Sequence, residues 1–251
     1  MRISRRFILR GAAIVAAACM APLVASGRGL AQDYAAILAA PDRASTDRQI
    51  DQRRDPLKLL AFSGVTTGMK VLDMGAGGGY STELMARSVG PNGVVYGQDT
   101  ADTNARAKER FTARMATPAM KNVVQLVRNF DDPLPPEVRN LDLITFFFFY
   151  HDTTYMAVDR AEMNRKLFAA LKPGGFLIVA DHSAKPGTGI SVAKTLHRIE
   201  ESALRQEIQA AGFKLVAEAD FLRHPEDPRD ERIFQPKVPV DEFVLKFQKP
   251  L

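Results

Sequence analysis

Residues 71–84 read VLDMGAGGGYSTEL. A short apolar run ends in an acid, Asp73, and glycines follow at every second position, Gly75, Gly77 and Gly79. Tyr80, Leu84 and Ser88 then recur at helical spacing before a stop at Gly90. The pattern is strand, glycine turn, helix. Glycine in such a turn accepts positive φ and lets a ligand approach the backbone. The helix that follows aims its free N–H groups at the same place. An acid, Asp99, lies 20 residues beyond Gly79, next to the strand predicted over GVVYGQ. A carboxylate there can accept both ribose hydroxyls of a nucleotide-like ligand.

Outward from this unit, strand and helix patterns alternate. NVVQLVR, LDLITFFFFY, FLIVA, KLVAEA and DEFVLKFQK read as strands. NARAKERFTARM, YMAVDRAEMNRKLFAAL and LHRIEESALRQEIQAAG read as helices, with PGG closing the second. In the second helix Met156, Met163, Leu167 and Leu171 share a side; in the third, Leu204, Ile208 and Ala211 point inward. Alternation of this kind builds a mostly parallel sheet with helices on both faces. Continuously apolar strands fit a sheet covered on both sides. Residues 32–64 form a helical segment ahead of this domain, broken at Pro56, and the domain itself spans 65–251. Four prolines from Pro225 to Pro239 predict an irregular connection before the last strand.

A dinucleotide fold prefers G-x-G-x-x-G, whereas this loop is D-x-G-x-G-x-G. DMGAGGG resembles the first motif of class I S-adenosylmethionine-dependent methyltransferases. LKPGG before a strand, LDLI, and the closing order of helix, strand, long loop and strand are similar to the same superfamily. YHD, DHSAKPGTG and TLHRIE further resemble a group of exported predicted methyltransferases of unassigned substrate. The resemblance implies a Rossmann-like sheet of seven strands and S-adenosylmethionine as cofactor. By position, Asp73, Gly75, Gly77 and Gly79 would shape the site for the methionine moiety, Asp99 would hold the ribose, and Asn129 or Asp131 in RNFDD would reach the adenine. It implies methylation of a small-molecule O, N or S nucleophile. A non-enzymatic protein that binds an adenosyl ligand on the same fold is the alternative, as is a metal-dependent enzyme with different chemistry.

Chemistry has a second candidate location. His151 and Asp152 follow the Phe-rich strand, and Asp181 and His182 end the next one. Parallel strands bring these pairs to the rim shared with the glycine loop. A His or Asp there can take the proton of a methyl acceptor. The same set can bind a divalent metal. Acids after these two strands resemble the Mg²⁺ ligands of metal-dependent O-methyltransferases, while imidazoles favour Zn²⁺ and other transition ions, so the metal stays undetermined. His197 and Glu200 are expected to open the next helix one turn apart, and His224 in the Pro-rich loop is set aside. FFFF and Tyr150 are expected in the core. KPGTG, residues 185–189, reads as a lid or a plain loop.

Residues 1–31 stand apart, with five arginines, no acid and an Ala-rich apolar run ending in small residues. That is the composition of an export signal, and SRRFILR resembles the twin-arginine motif. Cleavage near Ala31, a periplasmic location and passage through the twin-arginine machinery are the expectations. Five of the 34 basic residues lie in this segment, leaving 29 against 29 acids. The balance gives no basic footprint for nucleic acid. The single cysteine, Cys19, also lies in it, so no disulfide is expected beyond it. No apolar run reaches the length of a membrane span.

Overall fold

The computed structural model describes residues 32–251, and the predicted export signal lies outside the described residues. The chain first forms α1 (Tyr34–Ala39), α2 (Ser45–Arg54) and α3 (Pro56–Ser63). The break falls at Pro56, as expected. Asp55 turns left-handed there, and its carboxylate caps α3 by accepting the Lys58 N–H at 3.3 Å. Pro56 costs nothing at this position, because the first helical N–H has no partner inside the helix.

Seven strands follow: β1 (Lys70–Met74), β2 (Val94–Asp99), β3 (Val123–Val127), β4 (Leu141–Phe147), β5 (Leu171–His182), β6 (Lys214–Ala219) and β7 (Glu242–Gln248). Their order in the sheet is β3-β2-β1-β4-β5-β7-β6. β1 to β5 pair in parallel, and β7 runs antiparallel to both β5 and β6. The order reverses between β1 and β4, which opens a crevice beyond their carboxyl ends. The intervening helices are α4 (Tyr80–Val89), α5 (Ala105–Met115), α6 (Arg160–Ala170), α7 (Ala193–Leu196) and α8 (Glu201–Ala210).

Strand period divides the core in two. Ile178 and Ala180 of β5 pack with Leu60, Leu84, Met85 and Phe111 on one face. Leu177 and Val179 pack with Met163, Leu167, Leu204 and Ile208 on the other. Every second residue therefore enters a different core, and the strand reads as an unbroken apolar run.

Three local expectations change. PGG does not close a helix: α6 stops at Ala170, and Leu171 already pairs with Leu141. Residues 172–175 then bulge out of register, with Gly174 at φ +77° and Gly175 against the Leu141 carbonyl. The helix predicted from Tyr155 begins only at Arg160, capped by the Asp159 carboxylate on the Glu162 N–H. His197 and Glu200 do not share a helix. His197 sits left-handed at the end of α7, and Ile199 forms a bridge to Ser183 before α8 starts at Glu201.

Candidate active site

The glycine turn divides its labour. Gly75, Gly77 and Gly79 all have positive φ. A Cβ on Gly75 would stand 3.0 Å from the Phe149 ring, and one on Gly79 would meet the Arg114 and Phe111 side chains at 3.0 and 3.1 Å. Those two glycines permit close packing. A Cβ on Gly77 would meet nothing nearer than 3.9 Å, so this glycine faces open space. Asp73 does not face that space. Its carboxylate is buried and accepts hydroxyl hydrogens from Ser81 (2.8 Å), Thr82 (2.7 Å) and Thr145 (2.8 Å). Burial pushes its carboxyl up, with the hydroxyls opposing. Asp73 thus shapes the site by pinning β1 to the start of α4 and to β4.

Asp99, the last residue of β2, accepts the Gly77 N–H at 2.9 Å and the Thr100 N–H at 2.8 Å. It links the second strand to the loop and keeps further lone pairs for a ligand. Asn129 is exposed on the turn after β3, where its carbonyl accepts the Asp132 N–H. Asp131 is half-buried and accepts the Asp159 N–H at 3.4 Å.

A cleft of about 570 Å³ opens over the loop. Gly75–Gly78, Phe147–Phe149, α5 and α2 line it. Its size is that of a small-molecule site. The N-terminal helices form its wall and are fastened by charge. Arg114 of α5 bonds Asp47 of α2 and Glu83 of α4, both at 2.5 Å. Tyr80 donates to Asp51 at 2.7 Å, and Arg43 clamps the same carboxylate at 2.7 and 2.8 Å. Arg54, at the end of α2, is the exception. Its Nε is enclosed without a hydrogen-bond partner among the described residues. Its guanidinium lies over the rings of Phe148 (4.5 Å) and Tyr80 (5.6 Å). Burial pulls its pKa down to about 10, so it stays charged at neutral pH.

A second cleft, of about 650 Å³, adjoins the first and shares Arg54 and Phe148 with it. His151, Asp152, His182 and His197 line it, under a roof of Ile233–Pro236 from the Pro-rich loop. Phe148 separates the two with φ at +59°, a costly conformation for an aromatic residue. Phe148 and Phe149 therefore serve as cleft walls as well as packing. Tyr150 is fully buried, donates to Glu207 and accepts from Asn164, both at 2.8 Å, and belongs to the core.

The rim residues take different roles. Asp181 turns away from the cleft. It accepts the His151 N–H (2.8 Å), the His182 N–H (2.9 Å) and the His151 ring Nδ1–H (2.7 Å). His151 Nε2 consequently points outward, 3.1 Å from Asp152 Oδ1 and 3.4 Å from His197 Nδ1. His197 Nδ1 is also 3.1 Å from Asp152 Oδ1, and Tyr155 donates its hydroxyl to that oxygen. Burial works against a charged His151, yet Asp181 and Asp152 outweigh it and lift its pKa to about 10. Burial acts against the Asp152 charge too, and the His151 imidazole holds its carboxyl below the usual range. His182 is buried, with Nδ1 2.8 Å from Glu242 Oε1; burial pulls the imidazole down to about 3 and pushes Glu242 up to about 8. Despite that proximity, neither atom has a hydrogen-bond partner among the described residues.

Arg54, Tyr155, His197 and Glu242 complete the site beyond the strand-end pairs. YHD did signal a polar turn after β4, but only the left-handed turn at His197, φ +55°, brings that imidazole back to it. His224 instead lies 3.4 Å from Glu226. The KPGTG loop is tied to Glu200, which accepts the Gly189 N–H at 2.7 Å, and to Asp230 through Lys185 at 2.9 Å.

The strand order, the reversed seventh strand and the glycine turn ending β1 define the class I S-adenosylmethionine-dependent methyltransferase fold. Residues 66–221 match the family described as methyltransferase domain, and the chain belongs to it. The helices of residues 32–64 and the last strand lie outside the matched stretch. Among curated relatives, the ubiquinone/menaquinone biosynthesis C-methyltransferase UbiE of Ectopseudomonas mendocina is 28% identical over 165 residues, 66% of this chain and 59% of that protein. The protein of the same name from Pseudomonas paraeruginosa is 30% identical over 170 residues, 66% and 63% of the two chains. The chain thus spans about 60% of the length of these relatives. A SAM-dependent methyltransferase from Aquifex aeolicus shares the fold with a TM-score of 0.58 at 19% identity, over 81% of this chain and 96% of that one.

Proposed function

We propose that the protein transfers a methyl group from S-adenosylmethionine to a small-molecule nucleophile in the second cleft. One observation carries the reading: a glycine-lined cleft and a His/Asp-lined cleft meet at Arg54 and Phe148. The cofactor fits the first. Gly77 leaves its Cβ space open, and Arg54, whose Nε lacks a hydrogen-bond partner among the described residues, lines the same cleft. S-adenosylmethionine supplies an electrophilic methyl group on sulfur. The backbone of Gly75–Gly79 would hold its methionine part, Arg54 its carboxylate and Asp99 its ribose hydroxyls.

The second cleft handles the acceptor. Phe148 and Phe234 offer apolar faces for a planar molecule. Asp152 supplies the carboxylate that takes the acceptor's proton as its O, N or S atom attacks, with the His151 ring beside it. Asp181 positions the imidazole; it does not touch the acceptor. Transfer to carbon is the second reading, favoured by the C-methyltransferases among the relatives. A phenol that loses its proton to the rim becomes nucleophilic at ring carbon as well as at oxygen. We also infer that residues 1–31 direct the chain through the twin-arginine machinery to the periplasm. Terminal sequencing of native protein should then find a start near Gln32; an intact Met1 in the cytoplasmic fraction would contradict export.

The test of function is transfer of a labelled methyl group to a panel of small phenols, amines and thiols by the full chain. Label on an acceptor with an equal yield of S-adenosylhomocysteine is the expected result. Cofactor binding with no transfer across the panel would favour a non-enzymatic, adenosyl-binding role.

A further inference from the structure

We propose that His151 Nε2, Asp152 Oδ1 and His197 Nδ1 bind a divalent first-row transition metal at the floor of the second cleft. The argument is geometric. Ligands about 2.0–2.2 Å from a common ion and 90–110° apart stand about 2.8–3.6 Å from one another. The three edges here measure 3.1, 3.1 and 3.4 Å. Two imidazoles and one carboxylate on one side of an ion form the facial arrangement that leaves the other positions open. All three residues line the cleft, so those positions face the space assigned to the acceptor.

Two further features support the ion. The Asp181 carboxylate takes the hydrogen of His151 Nδ1 at 2.7 Å, which fixes the ring so that its other nitrogen can bind a metal. A carboxylate behind a ligating histidine is the usual outer support of such sites. His197, in turn, is held at φ +55°, a strained conformation for a residue with a side chain. That turn places His197 Nδ1 3.1 Å from Asp152 Oδ1. A hydroxyl hydrogen from Tyr155 already reaches Asp152, so the carboxylate is oriented as well. The donor set suits Zn²⁺, Fe²⁺ or Co²⁺ better than Mg²⁺, which prefers oxygen ligands. The ion would act as a Lewis acid on an acceptor that carries an ionisable oxygen.

The proposal deepens the methyltransferase reading of this cleft. Metal uptake is measured without cofactor, so either can fail while the other stands. The experiment titrates Co²⁺ and Zn²⁺ into the full, tag-free chain after chelation, with the visible absorption of Co²⁺ and the bound-metal content as readouts. One equivalent should bind, with a nitrogen-ligated cobalt spectrum. H197N, which tolerates the left-handed conformation, and D152A should each lose at least about tenfold in affinity, a loss that even outer-shell changes can cause. H224A should bind like the parent. Circular dichroism of each variant separates lost ligation from lost folding. Binding that survives both H197N and D152A, or no stoichiometric uptake by the parent, would overturn the site and leave a hydrogen-bonded His/Asp cluster.

Discussion

Arg54→Met removes a guanidinium whose Nε has no hydrogen-bond partner among the described residues and keeps an apolar stem of similar length. In the free protein the guanidinium is partly enclosed between Phe148 and Tyr80, with Nε unpartnered. Its loss relieves desolvation and forfeits ring contacts that, at an enclosed site, are worth about 2 kcal/mol. The melting temperature should stay level or rise. Ligand binding should move the other way. A hydrogen bond between charged groups contributes about 1.5–3 kcal/mol. Losing it weakens binding about 10- to 150-fold. The assay is isothermal titration with S-adenosylhomocysteine and with its decarboxylated analogue. The parent should bind the decarboxylated analogue more weakly by a similar factor. Arg54→Met should hardly distinguish the two. If Arg54→Met weakens both ligands equally, or neither, Arg54 does not hold the cofactor's carboxylate.

Asp99→Ala should weaken cofactor binding by about 1.5–3 kcal/mol, because it removes both the ribose acceptor and the clamp on Gly77; equal affinity in calorimetry would take Asp99 out of the site. Asp227 anchors the loop that roofs the acceptor cleft, accepting from buried Arg198 (2.7 Å) and from the Arg229 and Asp241 N–H groups (2.9 and 2.8 Å). Asp227→Ala strands a buried guanidinium and should cost about 3–5 kcal/mol in urea unfolding. Burial acts against the Asp227 charge, but those donors outweigh it and hold its pKa below the ordinary Asp value. The folded state then binds fewer protons than the unfolded one near that pKa. The contribution is therefore full at neutral pH and is lost as pH falls below about 4, so the gap in stability between parent and Asp227→Ala should narrow on acidification.

The glycine turn was legible because its chemistry is local. Three glycines, a preceding strand and an acid at the next strand end require no knowledge of distant contacts. The two strand-end pairs were legible for the same reason, since parallel strands must share a rim. Which member of each pair faces the cleft was not. Asp181 and His182 alternate along β5, and only the turn after β4 decides that Asp181 braces His151. Arg54 gave no signal, because one arginine in a polar helix looks like its neighbour Arg53. Its isolation depends on how α2 packs against Phe148 and Tyr80. Helical spacing throughout LHRIEESALRQEIQAAG predicts a helix that includes His197. The pairing of Ile199 with Ser183 overrides that spacing and redirects the imidazole. The PGG bulge in β5 was hidden likewise, since glycines after a helix look like an ordinary stop.

The central claim is that the cleft over the glycine turn binds the methyl donor. Gly77→Asn tests it most directly. Asparagine accepts the left-handed conformation better than other side chains, and its Cβ at Gly77 would meet nothing nearer than 3.9 Å. The full chain should bind S-adenosylhomocysteine at one site by calorimetry, and Gly77→Asn should abolish that binding with little change in melting temperature. Equal binding by the parent and a folded Gly77→Asn, or no binding by the parent, would contradict the account.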